Sequence, residues 1–385
     1  MPTDQRGRSL PEIVFWSDFP LGFHNREAEE KMARFAARGY TVHYVEKLGI
    51  RNPRLRHLPW MLRALTRRGG GDTARAPFRV IAPKVAFPRR APLVPALNRR
   101  LLERQVVSHL ADPSQAVFWV RYPSPELPPL IDRVGPRLVV YEAVDHHERG
   151  PGITPRLQPL LRATEEAIVA RAGLVFTWSE PLRARFAASH PRVVLAGPAT
   201  ELERFTPIAA APGEPQVAVW TGAIDFRFDA DLLAAVARCL PGWRFLIAGP
   251  VLDREARGRL AAVRNVELLG VVDPAEVPAL VARASVCVMP YRESEFTDML
   301  FPIKLVEYLA AGRPIVSTPI RIAREMSDVV GTATGPQEFA EAIEYEAARD
   351  SGALRRARSA RTARYTWDAR IDEMERALQE ALDDG

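Results

Sequence analysis

Lys304 and Glu307 stand three residues apart in Phe301-Pro302-Ile303-Lys304-Leu305-Val306-Glu307-Tyr308-Leu309-Ala310-Ala311-Gly312-Arg313-Pro314-Ile315-Val316. The pattern reads as a helix followed by a strand. Pro302 suits the first helical position, Gly312 and Pro314 stop the helix, and Ile315-Val316 opens an apolar strand. The spacing puts an ammonium and a carboxylate on one helix face near its N-terminus, where free N–H groups and the helix dipole favour phosphate. The chemistry expected of such a pair is a cation for a diphosphate and a carboxylate for ribose hydroxyls. An isolated K-x-x-E is more often a solvated ion pair, so the flanking residues carry the argument. Lys304 is also the one lysine after residue 84 in a chain that otherwise uses arginine.

A second concentration of ionisable groups is Asp145-His146-His147-Glu148, directly after the apolar run Leu138–Val144. At the carboxyl end of a parallel strand these residues face a ligand crevice. Asp145 is the candidate general base, with His146 and His147 as alternates because imidazole titrates near working pH. A surface loop capping the next turn is the plainer account. In Thr221-Gly222-Ala223-Ile224-Asp225-Phe226-Arg227-Phe228-Asp229, Gly222 suits a tight turn and Arg227 follows it on the same loop. Asp229-Ala230-Asp231 matches a metal-chelating D-x-D, but it opens a helical stretch, Leu232–Leu240, and N-capping explains it better. Glu295 stands just before the Lys304 helix with Glu293, Ser294 and Thr297, a polar group that could line a pocket. The loop after the first strand supplies Asp18, His24 and Arg26 around Gly22, with Asn25 as a helix cap. No metal or other cofactor is expected. His/Cys ligand spacing is lacking, and so are the G-x-G-x-x-G and G-x-x-x-x-G-K-[ST] motifs of dinucleotide and P-loop sites.

The elements needed to position these groups alternate strand with helix. Strands are expected at Glu12–Trp16, Thr41–Val45, Phe78–Ile81, Ala116–Val120, Leu138–Ala143, Leu174–Thr177 and Val193–Ala196. After an interruption rich in proline, further strands are expected at Val217–Thr221, Arg244–Ala248, Val266–Leu269, Val286–Met289 and Ile315–Ser317. Helical stretches include Arg26–Arg38 and Arg162–Arg171. The fold class is therefore α/β, with two doubly wound Rossmann-like domains facing across a cleft. The expected domains are residues 1–197 and 198–365, and a final helix, 366–385, capped by Asp368 or its neighbour, is expected to return to the first.

The 385 residues suit two cores, and the two cysteines form no disulfide framework, which favours a reducing cytoplasm. No secretory leader is read at Met1–Leu10, and no apolar run reaches the length of a spanning helix. The formal net charge of +6 is unevenly held. Residues 51–104 carry 14 basic and 2 acidic side chains. Leu58, Met61, Leu62 and Leu65 at helical spacing beside Arg63, Arg67 and Arg68 read as an interfacial helix, so an anionic membrane surface is a candidate partner. Nucleic acid is not expected, because no recognition module accompanies the charge. Residues 69–75 read as a flexible loop and 83–95 as an extended connector.

The whole segment P-x-K-x-x-E-Y-x-A-x-G-x-P-[IV]-V resembles the donor signature of GT-B glycosyltransferases of the glycosyl transferases group 1 superfamily. Leu174–Glu180, Gly197–Phe205 and the pair Val266–Gly270 with Val281–Pro290 resemble further family segments in the family's order. The resemblance implies a metal-independent transferase moving a sugar from a nucleotide sugar to a glycan, lipid-linked or small-molecule acceptor. Lys304, Glu307, Arg227, Gly222, Val271 and Glu295 would lie on the donor side. Asp18, His24 and Arg26 would lie on the acceptor side, and Asp145, His146 and His147 at the reacting centre. The cysteine usage and the basic stretch 51–104 point to the cytoplasm, with peripheral attachment to the inner face of the cell membrane. Many retaining members carry a glutamate eight residues before the second one, where this chain has Met299. The motif is closer to that of xanthan-type glucuronosyltransferases, several of which invert. A nucleotide-sugar epimerase and a non-catalytic sugar-nucleotide-binding subunit are the competing readings.

Overall fold

The computed structural model describes residues 10–22, 27–48, 76–87, 91–150 and 153–384. His24, Arg26, the 69–75 loop and the expected interfacial helix with Arg63, Arg67 and Arg68 lie outside the described residues. The chain divides into two compact units, Met1–Ala196 with Ile371–Gly385 and Gly197–Arg370.

Each unit is built on a parallel sheet of short strands, the central ones mostly buried on both faces and so without polar alternation. In the first unit these are β1 (Ile13–Trp16), β2 (Val42–Val45), β3 (Arg79–Ile81), β4 (Val117–Val120), β5 (Leu138–Ala143), β6 (Leu174–Thr177) and β7 (Val193–Leu195), ordered β3-β2-β1-β4-β5-β6-β7. The second unit contains β8 (Val217–Thr221), β9 (Arg244–Ala248), β10 (Val266–Gly270), β11 (Val286–Met289), β12 (Ile315–Ser317) and β13 (Gly331–Thr332), ordered β10-β9-β8-β11-β12-β13. Strand order reverses between β1 and β4 in one sheet and between β8 and β11 in the other, and α/β sheets place ligands beyond the carboxyl ends of strands at such points.

Expected strand ends are trimmed by a residue at Glu12, Thr41, Phe78, Ala116 and Ala196, while β10 extends to Gly270. The two-residue edge strand β13 was not expected, because Gly331-Thr332 has no run of apolar residues to mark it. The helix expected at Arg162–Arg171 runs Gln158–Val169, with Pro159 in its first turn. Leu93 adopts φ 68° and starts a helix at Val94, so the connector expected over 83–95 ends sooner. Asp229 does cap the helix Ala230–Cys239, its carboxylate accepting from the Leu232 amide at 3.0 Å.

The final helix, Trp367–Asp383, is capped by the Thr366 hydroxyl, which accepts from the Ala369 amide at 3.2 Å, rather than by Asp368. Thr366–Arg370 group with the second unit, where Tyr365 packs edge-on against Phe301 at 5.4 Å and its carbonyl takes the Thr200 amide at 3.1 Å. From Ile371 onward the helix belongs to the first unit. There Arg38 pairs with Asp372 and Glu375, and Arg137 donates to the Leu382 carbonyl at 3.0 Å.

The first unit also buries an ionic set beneath the carboxyl end of β5. Glu142 accepts from Lys31 at 2.5 and 2.6 Å and from the Trp119 and Trp178 indoles at 2.7 and 3.1 Å. Burial opposes its ionisation, but Lys31 and Arg121 outweigh that and hold its carboxyl well below the usual range. Arg121, itself buried, reaches Glu27 at 2.7 Å and Asp18 at 3.4 Å. Removing one partner from such a buried set costs about 3–5 kcal/mol, so these charges fix the helix Glu27–Ala37 to the sheet.

Candidate active site

Lys304, Gly222 and Arg227, three of the residues expected on the donor side, lie around the carboxyl end of β8, at the reversal of strand order. The helix Ile303–Ala310 starts from Pro302, whose φ of −69° and ψ of 128° make it the N-cap and not the first helical residue. The extended ψ turns the chain into the helix one residue later than the proline-first pattern expects. Gly312, at φ 64°, ends the helix, and a Cβ there would lie 2.8 Å from the Arg355 carbonyl. One turn into this helix, Tyr308 meets Thr221 at the end of β8, which sets the register of helix against strand.

Lys304 projects back over β8. Its ammonium lies 3.2 Å from the centroid of the Trp220 indole and 5.5 Å from that of Tyr291. Gly222 leaves room for it: φ is 130°, and a Cβ on residue 222 would lie 2.5 Å from Lys304 Nζ. Burial first, then the nearby Arg227 charge, pushes the Lys304 pKa well below that of an ordinary lysine, against the weaker pull of Asp225 and Glu307. Glu307, half-buried on the same helix, accepts from the Thr200 hydroxyl at 3.5 Å, and burial raises its carboxyl above the usual range.

Arg227 lies on the loop after Gly222 and forms a two-pronged pair with Asp225, at 3.0 and 2.7 Å. That loop is tied to the segment after β11: the Arg292 amide donates to the Arg227 carbonyl at 2.7 Å, and Phe228 bridges Tyr291. Val271, 59% exposed, follows β10. Glu295 is exposed at the start of the short helix Glu295–Asp298. Ser294 and Thr297 bond each other in a capping box, and Thr297 also donates to the Arg292 carbonyl at 2.7 Å. Sequence reasoning missed Trp220, because a tryptophan inside a buried strand reads as core. Its place two residues before Gly222 was the available signal.

In the first unit Asp145 follows β5 and is half-buried. The imidazoles differ from expectation. His147 is packed edge-on against Tyr122 at 5.2 Å, and burial together with the Lys47 charge pushes its pKa down to about 3, so it is neutral and a very weak base at neutral pH. His146 is buried against Glu148 at 2.9 Å, and burial with Arg185 lowers its pKa as well. His147 thus does not titrate near working pH as the sequence suggested, and His146 is shifted in the same direction. Asp18 is buried beside Arg121 as described above.

Among the described residues no group of three or more His, Cys, Asp or Glu side chains forms a metal site. Among them, too, no helix is long and apolar enough to cross a membrane.

Two Rossmann-like parallel-sheet domains define the GT-B fold, and residues 215–347, which hold the Lys304 site, match the family model "Glycosyl transferases group 1". Among curated proteins the chain is similar to TuaH of Bacillus subtilis, named as a teichuronic acid biosynthesis glycosyltransferase. The two are 28% identical over 180 residues, covering 43% of this chain and 45% of TuaH. It is also similar to D-inositol 3-phosphate glycosyltransferase of Mycolicibacterium smegmatis, 26% identical over 255 residues, or 59% of this chain and 57% of that one. The chain thus matches about half the length of these relatives.

Among solved structures, HepE of Anabaena in complex with UDP and glucose superposes with a TM-score of 0.68 at 14% identity, covering 96% of this chain and 99% of HepE. A glycosyltransferase of Rickettsia africae gives 0.69 at 11% identity, with 98% and 100% covered. At these identities the likeness is one of fold. The matching family and both curated relatives are glycosyltransferases.

Proposed function

We propose that this protein is a glycosyltransferase that moves a sugar from a nucleoside-diphosphate sugar to a glycan or lipid-linked acceptor without a metal ion. The observation that carries the reading is Lys304, a half-buried cation at the β8/β11 reversal, on a helix whose N-terminus favours phosphate. As the bond from the anomeric carbon to the diphosphate breaks, its electron pair passes to the departing phosphate oxygen. Lys304 and the helix N-terminus stabilise that growing charge. Glu307 accepts from ribose hydroxyls, and Arg227 supplies further positive charge beside the diphosphate. Val271 borders the base and Glu295 the sugar. The acceptor oxygen forms the new bond to the anomeric carbon, and its proton passes to Asp145. Asp18 lies on the acceptor side, as do His24 and Arg26.

The K-x-x-E arrangement with Met299 in place of a first glutamate supports a relationship to the xanthan-type glucuronosyltransferases. Polysaccharide assembly is supported by the name of TuaH. The basic stretch 51–104 supports peripheral attachment to an anionic cytoplasmic leaflet, where basic side chains gain roughly 1 kcal/mol each. Co-sedimentation with phosphatidylglycerol vesicles but not with phosphatidylcholine vesicles is expected, and equal recovery with both would point to a soluble acceptor.

The deciding experiment is incubation with a panel of nucleotide sugars, beginning with UDP-sugars, with and without glycan and lipid-linked acceptors and in the presence of EDTA. Acceptor-dependent release of nucleoside diphosphate that persists in EDTA is expected. Formation of an epimerised nucleotide sugar, binding without turnover, or loss of activity that a divalent ion restores would each overturn this reading or its metal independence.

A further inference from the structure

The Trp220 side chain serves no ordinary core purpose alone. It is 1% exposed, and its position is fixed on several sides. The indole N–H donates to the Gly222 carbonyl at 3.0 Å. Phe228 and Tyr291 meet the ring edge-on, with centroids at 4.9 and 5.5 Å and interplanar angles of 65° and 73°. A ring so held presents one face in a fixed plane, and the Lys304 ammonium lies 3.2 Å from its centroid. The negative face of an indole attracts a cation more strongly than that of any other side chain, and more so where water is excluded. Four residues further along the same helix, the Tyr308 hydroxyl is tied to Thr221, next to Trp220 in the strand. The helix is thus pinned to β8 at two successive turns, through a hydroxyl at one and an ammonium at the other. A lysine has four rotatable side-chain bonds, and without a seat its charge would be spread over many positions. Asp225 and Glu307 act on Lys304 only through space. The indole is its direct contact.

We infer that Trp220 is a positioning residue for the donor diphosphate: its indole face seats the Lys304 ammonium at the phosphate position, and Gly222 is the residue whose lack of a side chain lets that seat exist. This rests on the reading of Lys304 as the diphosphate cation, and it assigns a role to a strand residue that has the outward character of core. A graded response to ring chemistry follows. Trp220→Phe keeps an aromatic face with a weaker quadrupole, whereas Trp220→Leu keeps an apolar filling and removes the face.

The test is a double-mutant cycle between positions 220 and 304, read by UDP affinity in calorimetry and by kcat and KM with a UDP-sugar. Trp220→Leu is expected to lower kcat and UDP affinity about 10- to 30-fold, Trp220→Phe by about threefold, and neither to change the KM for acceptor. In a Lys304→Met background the same tryptophan substitutions are expected to have no further effect, which a merely structural role would not produce. Tryptophan emission gives a readout independent of turnover: Lys304→Met should change it in the Trp220 protein and leave it unchanged in Trp220→Phe. Equal losses in both backgrounds, or an active Trp220→Leu protein with native UDP affinity, would overturn the inference while leaving the transferase reading in place. A parent protein that binds UDP but turns over no nucleotide sugar would sink the transferase reading, and the affinity and emission cycles would still decide the role of Trp220. If the parent binds neither UDP nor GDP, both fail.

Discussion

The Tyr308 hydroxyl stands 2.8 Å from the Thr221 amide nitrogen and 2.9 Å from the Thr221 hydroxyl, so a helix side chain satisfies the backbone at the end of β8. The contact is fully buried, and burial pushes the phenol well above its usual pKa. The hydroxyl stays protonated and keeps both bonds throughout the physiological range.

Replacing Tyr308 by Phe leaves the Thr221 amide buried without an acceptor. A loss of about 1–3 kcal/mol is expected, larger than that for a solvated hydroxyl, because an unpaired buried donor bears its full desolvation cost. Urea unfolding with an unchanged m-value measures it. The same variant should weaken UDP binding by shifting the helix that carries Lys304.

Lys304→Ala is expected to remove most turnover, since a cation at the departing diphosphate stabilises charge that grows mainly in the transition state. Glu307→Ala is expected to act chiefly on nucleotide affinity. Steady-state kinetics with calorimetry on UDP separates the two, and unchanged rate and binding in both variants would remove this helix from the site.

Because Lys304 has a lowered pKa, the free protein loses this ammonium at a lower pH than an ordinary lysine would. A bound diphosphate favours the charged form and raises the pKa again. UDP affinity should therefore be full on the acid side, fall as pH rises through the free-protein value, and be accompanied by net proton uptake on that alkaline limb. Calorimetry in buffers of differing ionisation enthalpy reads the uptake directly. In Lys304→Arg the uptake and the alkaline limb should vanish, with Asp225, Arg227 and Glu307 unchanged around the site.

Asp145→Asn should lower the rate by at least about 10² while sparing donor affinity, the expectation for loss of a general base. His147, held to about 3 by burial and Lys47, is neutral throughout the working range and contributes no imidazole limb to the pH–rate profile. An acid limb near an ordinary histidine value that disappears in His147→Gln would assign the proton transfer to the ring instead.

Much of this architecture was legible because parallel strands buried on both faces must be written as unbroken apolar runs. Leu138–Ala143, Val217–Thr221 and Val286–Met289 appear in the structure with the ends read from sequence. Lys304 and Glu307 were legible because helical spacing is local. The environment of His147 was not, since its pKa depends on Lys47, 100 positions away, and on burial that no local pattern records. The capping role of Ser294 and Thr297 was hidden for a related reason: hydroxyls suited to a sugar are equally suited to a helix cap. Trp220 was hidden by its own strand. An aromatic residue that packs on three sides and seats a cation on a fourth has the same sequence signature as one that only packs.

The depressed basicity of Lys304 also makes it a chemical handle. The chain has four lysines, Lys31, Lys47, Lys84 and Lys304. Lys31 is locked against Glu142, and Lys47 lies over Tyr122. An amine that gives up its proton early is nucleophilic at a pH where ordinary lysines are still protonated. Acylation of Lys304 should thus begin at a lower pH than that of an ordinary lysine side chain. Protection of that one position by a nucleotide would turn peptide mass mapping into a donor screen.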